Sequence, residues 1–148
     1  MSLTESSPLG SWHGHLFTLD RRQCLFFCHD ASRYVLFLPG IRKEDLAGLD
    51  ALFRPLFLAS LAVVGVDPVQ VNKAALALGP LRFDTATDRS VQGSIRVVKI
   101  DLEFMLGESS VMQLDPLAVS CKFNRRPATA RGRWLWPEKE MRAAVARL

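Results

Sequence analysis

Apolar positions along this chain change their period once, near residue 43. Before that point, residues 12–19 (WHGHLFTL), 23–29 (QCLFFCH) and 33–38 (RYVLFL) are short runs of aromatic and aliphatic residues separated by DRR and DAS. Runs of that length between turn-forming residues predict strands, and three in succession predict an antiparallel meander. The second run is apolar at odd and even positions alike, so it is expected to be the central strand, covered on both faces. Pro39-Gly40 closes the third run, since proline has no amide proton to give to a ladder.

After residue 43 the period is helical. Leu46, Leu49, Phe53, Leu56, Phe57, Leu61 and Val64 form one stripe, with Pro55 inside it, which predicts a short helix and a longer one, or a single kinked helix. Asp67-Pro68 is an N-cap and first-position pair for a helix to about Leu78. Val91, Ile95, Val98, Leu102 and Met105 predict a long amphipathic helix ended by Gly107, although SIRVVKIDLEF also alternates like a strand. Gly93 and Ser94 sit about one turn inside that helix, where glycine costs roughly 1 kcal/mol relative to alanine. The close approach of a neighbouring helix or strand is the expected reason. Residues 119–123 read as a strand and 124–136 (NRRPATARGRWLW) as a loop. Pro137 opens a last helix with Met141, Ala144, Val145 and Leu148 on one face, expected to dock on the core as a lid. The sum is a single α+β domain over residues 11–148, a three- or four-stranded antiparallel sheet packed by four to five helices, behind a flexible leader at 1–10.

Composition narrows the class. With 148 residues, 49% apolar and 23% charged, the chain is one domain's worth and can bury a core without disulfides or metals. No apolar run reaches the ~18 residues of a membrane span, and the segment Leu56 to Val66 falls short. The polar start MSLTESSPLGS lacks the basic and apolar regions of a signal peptide, so the cytoplasm is the expected compartment. Cys24, Cys28 and Cys121 suit that compartment as free buried thiols. On one strand Cys24 and Cys28 would lie about 13 Å apart, too far to bridge. Net charge is +4, but it is uneven: residues 1–120 carry 11 basic and 13 acidic groups, and residues 121–148 carry 8 and 2. A basic C-terminal extension points to an acidic partner, nucleic acid or protein.

Three clusters carry the candidate chemistry. In the segment 78–94 (LGPLRFDTATDRSVQGS), Asp84 and Asp88 suit a turn and a helix cap, with Arg82 and Arg89 as ion-pair partners. The same segment could instead hold an anion through Arg82, Arg89, Ser90 and the amides of the next helix, or a hard cation on the two aspartates. In the tail, Arg125, Arg126, Arg131 and Arg133 alternate with Trp134 and Trp136, a pattern that neutralises phosphates and stacks on unpaired bases, or packs a terminal helix. If DRR is a three-residue turn, then His13, His15 and His29 share one face of the hairpin, where they could hold zinc with an open position for water. A slip of one residue sends His29 to the other face. No G-x-S-x-G, P-loop, C-x-x-C or H-E-x-x-H motif is present.

The aromatic strand WHGHLF, the strand RRQCLFF and the segment Thr87-Asp88-Arg89-Ser90-Val91-Gln92-Gly93-Ser94 together resemble an uncharacterised family of small bacterial proteins, a domain of unknown function. That resemblance covers about residues 12–106. It implies a compact α+β domain and transfers no activity. Here Ile95 and Arg96 follow the Gly-Ser pair, where the family pattern has Asn. The expected function is a small non-catalytic binding or regulatory module with a basic C-terminal face for nucleic acid or an acidic protein. The alternatives are a metal-dependent hydrolase or nuclease built on the histidines or on Asp84 and Asp88, and a homo-oligomer joined through an exposed helix face.

Overall fold

In the computed structural model, residues 2–4, 8–78, 82–84 and 89–148 are described, the two outer triplets as backbone alone. Strands β1 (Ser2–Thr4), β2 (Trp12–Leu19), β3 (Arg22–His29), β4 (Val35–Leu38) and β5 (Arg82–Asp84) form one antiparallel sheet in the order β4-β3-β2-β1-β5. The predicted meander is β2 to β4, and β1 and β5 extend it. Within the stretch the sequence suggested as a leader, residues 2–4 pair with both β2 and β5, and Leu9 is buried.

Strand β3 is buried at every position from Cys24 to His29, as expected of an interior strand covered on both faces. Its odd residues Leu25 and Phe27 meet α1 (Leu49–Val63), α2 (Pro68–Ala77) and α5 (Pro137–Ala146). Its even residues Cys24, Phe26 and Cys28 meet α3 (Arg89–Leu106) and α4 (Pro116–Asn124). The period of two thus sorts one strand into two separate cores.

Helix α1 runs unbroken through Pro55 and is preceded by a 3₁₀ turn at Lys43–Gly48, so the division falls before Leu49 and not at the proline as the sequence suggested. Together they make a segment, Lys43–Val63, long and apolar enough by length and composition to cross a membrane, with mean hydropathy 1.6. No uninterrupted apolar run revealed it, because scattered polar residues dilute the pattern. In this fold the segment lies on the sheet instead, with Leu49, Phe53, Phe57 and Leu61 in the core. Asp67 caps α2 by accepting from the Val69 amide at 2.9 Å. The segment with the strand-like alternation is helical throughout α3, and Gly107 follows it at φ +55°. Helix α5 buries Met141 and Val145 against the α1 side, the docking expected of it.

Two expectations for the C-terminal third are overturned. Residues 119–123 lie in helix α4, not a strand, with Asp115 accepting from the Leu117 amide at 3.0 Å and Pro116 in the first turn. Asp115-Pro116 repeats the Asp67-Pro68 signature that correctly opened α2. Helix α4 also closes the sheet's edge. The Ser120 hydroxyl accepts from the Phe37 amide at 2.9 Å, and Asn124 pairs with both the amide and the carbonyl of Val35, at 2.7 and 2.8 Å. Two side chains four residues apart on a helix thereby replace the next strand and block further pairing at β4. Residues 128–135 are a hairpin rather than a loop, with β6 (Ala128–Ala130) paired to β7 (Arg133–Leu135).

Candidate functional site

The hairpin β6–β7 turns through Arg131 and Gly132, both left-handed at φ +50° and +82°. It lies on the first half of α3: the Arg131 amide donates to the Ser90 hydroxyl at 3.3 Å, and the Ser94 hydroxyl donates to the Thr129 carbonyl at 3.3 Å. Arg89 and Ser90 are thereby brought beside the arginine and tryptophan tail, two candidate groups about 40 residues apart in the chain. Gly93, where close packing was expected, faces open space instead; a Cβ there would meet nothing within 4 Å. The close approach falls at Ser94.

The tail's side chains divide into two sets. Arg126 donates to Asp101 at 2.7 Å and lies 5.5 Å from the Phe123 ring centre, and Arg125 is 3.8 Å from Glu138. Arg131 and Arg133 sit at the exposed hairpin turn. Trp134 is 74% exposed, and Trp136 is half exposed with the Lys139 ammonium 5.5 Å over its ring. Trp136 thus packs at the start of α5, whereas Trp134 stands largely in solvent. Arg82 and Asp84 belong to β5 by their backbone, whereas Thr85, Thr87 and Asp88 lie outside the described residues, and with them the carboxylate-pair reading.

The histidine face is overturned. Asp20 and Arg21 form a two-residue turn, left-handed at φ 53° and 58°, whose twist matches the strands it joins. Leu19 therefore pairs with Arg22, His13 with Cys28 and His15 with Phe26. His29 pairs with Trp12 and points to the α1 side, opposite to His13 and His15. Among the described residues no three His, Cys, Asp or Glu side chains gather as ligands for a cation. His29 is instead a structural group. Its Nε2–H donates to the Leu9 carbonyl at 2.5 Å, and its Nδ1 accepts from the Ser32 hydroxyl at 2.7 Å and the Ser32 amide at 3.2 Å. The carbonyl can only accept, which sets the neutral tautomer. Burial lowers the His29 pKa below the usual imidazole value. Burial acts on the thiols in the opposite sense, raising all three and pushing Cys28 up to about 12, so they stay protonated and unreactive at neutral pH.

Between α3, the end of α4 and the hairpin lies a cavity of about 250 Å³. Val97, Val98, Phe123, Pro127 and Trp134 give it apolar walls, and Gly93 leaves one side open. Arg33 also lines it. That side chain is fully buried, at left-handed φ 60°, and donates to the Asp30 carbonyl and to the Ser90 hydroxyl at 2.6 Å. Nothing in the chain's pattern singled out Arg33, which stood as one arginine at the start of a strand. Its left-handed backbone and its burial emerge only in three dimensions.

A model of the domain of unknown function DUF6933 matches residues 1–140. This chain belongs to that family. The match takes in α3, the hairpin and the cavity between them, and extends past residue 106 as far as residue 140. No curated protein and no solved structure matches the chain.

Proposed function

We propose that this member of the DUF6933 family is a non-catalytic binding module whose hairpin face takes single-stranded nucleic acid. The observation that carries the reading is Trp134, held 74% exposed on a short hairpin beside Arg131 and Arg133. An aromatic ring that buries little of its own surface suits stacking on an unpaired base, and exposed guanidinium groups suit the flanking phosphates. The uneven charge of the chain supports an acidic partner, and the buried, protonated thiols support binding over nucleophilic chemistry. We place the domain in the cytoplasm, where three free thiols stay reduced.

The test is a labelled twenty-nucleotide oligothymidine titrated over a salt series. Trp134→Ala is expected to lose about 1–3 kcal/mol of binding through stacking. Arg131→Ala with Arg133→Ala is expected to flatten the salt slope by about 0.7 per phosphate contact removed. Absence of binding by the intact chain at low salt would refute the reading and leave an acidic protein as the partner to seek.

A second reading, self-association, rests on α3. Val97, Ile100 and Phe104 form an exposed apolar stripe on that helix, Phe104 being 91% exposed. Exposed Arg96 and Glu103 lie seven residues apart along the stripe, so a second copy running antiparallel about Ile100 would set each arginine against the partner's glutamate.

A further inference from the structure

We propose that the cavity beneath the hairpin seats one base of the bound strand, and that the Asp101–Arg126 pair on its wall selects guanine. The inference rests on the nucleic-acid reading and adds to it which base the strand presents. Trp134 is both the exposed ring on the hairpin and part of the cavity wall, so a base stacked on its inner side lies in the space between α3 and the end of α4. Val97, Val98 and Phe123 line that space with side chains that make no hydrogen bonds, which suits a flat body whose polar atoms are confined to its edges. At Gly93 the wall lacks a side chain, and a Cβ there would meet nothing within 4 Å. The cavity is at the small end of ligand sites, with room for a two-ring base.

Arg33 lines the cavity without any exposed side-chain surface, so the charged contacts come from Asp101 and Arg126. Those two side chains are bonded to each other and still open to a third partner. Arg126 Nη1 donates to Asp101 Oδ2 at 2.7 Å, and both side chains are nearly half exposed. Neither the second Asp101 oxygen nor the other Arg126 nitrogens have a hydrogen-bond partner among the described residues. Phe123, its ring centre 5.5 Å from the guanidinium carbon, supports the arginine from the cavity side. A donor fork and an acceptor thus stand side by side on one wall. Guanine presents N7, O6 and N1–H in that order along one edge, two acceptors and then a donor, so the fork takes N7 and O6 while the carboxylate takes N1–H. Adenine has an amino group in place of O6 and a bare nitrogen in place of N1–H, which sets donor against donor and acceptor against acceptor. Pyrimidines have no N7 and leave the fork half used.

The probes are twenty-nucleotide thymidine strands carrying one central deoxyguanosine, deoxyinosine or deoxyadenosine, titrated into the full chain by fluorescence anisotropy beside the all-thymidine strand. The guanine strand is expected to bind about tenfold more tightly than the adenine strand. Inosine keeps N7, O6 and N1–H, and its strand is expected to match the guanine strand. Asp101→Ala removes the acceptor and Gly93→Phe fills the cavity from an unobstructed helix position; each is expected to bring the guanine-to-adenine ratio to one, with circular dichroism reporting the fold. Should either variant fail to fold, the ratios measured on the parent still decide. Equal binding of the guanine and adenine strands, an inosine strand that behaves like adenine, or an undiminished ratio in a folded variant would overturn the guanine site and leave the nucleic-acid reading standing. No binding of any strand at low salt would overturn both.

Discussion

The two faces of the sheet are built from the same strands and finished differently. On the α1 side, Trp12 sits at the centre of an aromatic cluster, with ring centres 5.0 Å from Phe53, 5.2 Å from Phe57 and 4.9 Å from His29. Tyr34 donates to Ser60 at 2.7 Å and His29 spans Leu9 and Ser32, whereas the Trp12 indole N–H has no partner among the described residues. On the α3 side, Phe17, Phe26 and Phe37 meet mostly aliphatic residues, and the layer stops short at a cavity holding a buried arginine. Its outer helix leaves Val97, Ile100 and Phe104 in solvent. The first face holds the denser aromatic packing, and the second carries the most exposed aromatic, Phe104, and the fully buried Arg33, and is where binding is expected.

The largest effect that would sharpen this contrast is on the closed face. Phe53→Ala removes a fully buried ring with three aromatic neighbours and is expected to cost about 3–5 kcal/mol in chemical denaturation. A loss under 1 kcal/mol would mean the closed face is no tighter than the open one.

A smaller effect on the same face depends on pH. The pKa of folded His29 lies below its unfolded value, so the unfolded chain binds the extra proton more readily. Its contribution to stability is complete above about pH 6.5 and is lost as the pH falls through that value toward the lowered folded pKa. Burial is the main cause; the Leu9 carbonyl and Asp30 oppose it, and Arg33 adds to it. The melting temperature is expected to drop between pH 7.5 and 5.5, and His29→Gln to flatten the drop. His15, also lowered by partial desolvation and by Lys99, lies exposed at the surface and contributes the same sign more weakly. A melting temperature that rises on acidification would contradict the assigned tautomer.

The smallest effect on stability belongs to the open face. Phe104→Gln changes a side chain that buries almost nothing, so monomer stability should shift by no more than about 0.5 kcal/mol. Sedimentation is the informative readout. A parent whose mass rises with concentration, with the rise lost in the variant, supports self-association through α3, and a monomeric parent at millimolar concentration removes it.

Much of the local structure was legible because it is encoded by neighbours in the chain. Short aromatic and aliphatic runs between turn residues over 12–38 pointed to the meander, the stripe from Leu49 to Leu61 to α1, and Asp67-Pro68 to the start of α2. Helix α4 was misread although Asp115-Pro116 carried the same signal, since five apolar-rich residues at 119–123 fit either period. The histidine face failed on a single residue of register, settled by the two-residue turn at Asp20 and Arg21. Of the candidate site, the exposed arginines and tryptophans were visible as composition, but their approach to Ser90 was not.

The amino-acid sequence by itself determined the periods, caps and turns, and with them which residues could be buried and that the basic charge would gather near the C-terminus. Those properties depend on interactions within a few residues. Only the tertiary structure decided that β1 and β5 complete the sheet, that Ser120 and Asn124 close its edge, and that the hairpin comes down on α3 over Arg33. Each of these joins groups far apart in the chain, about 40 residues for Ser90 and Arg131 and more than 50 for Arg33 and Ser90. Such contacts form only when the whole chain has folded, because the entropy of closing long loops is repaid by the complete set of burial and hydrogen bonds rather than by any one pair.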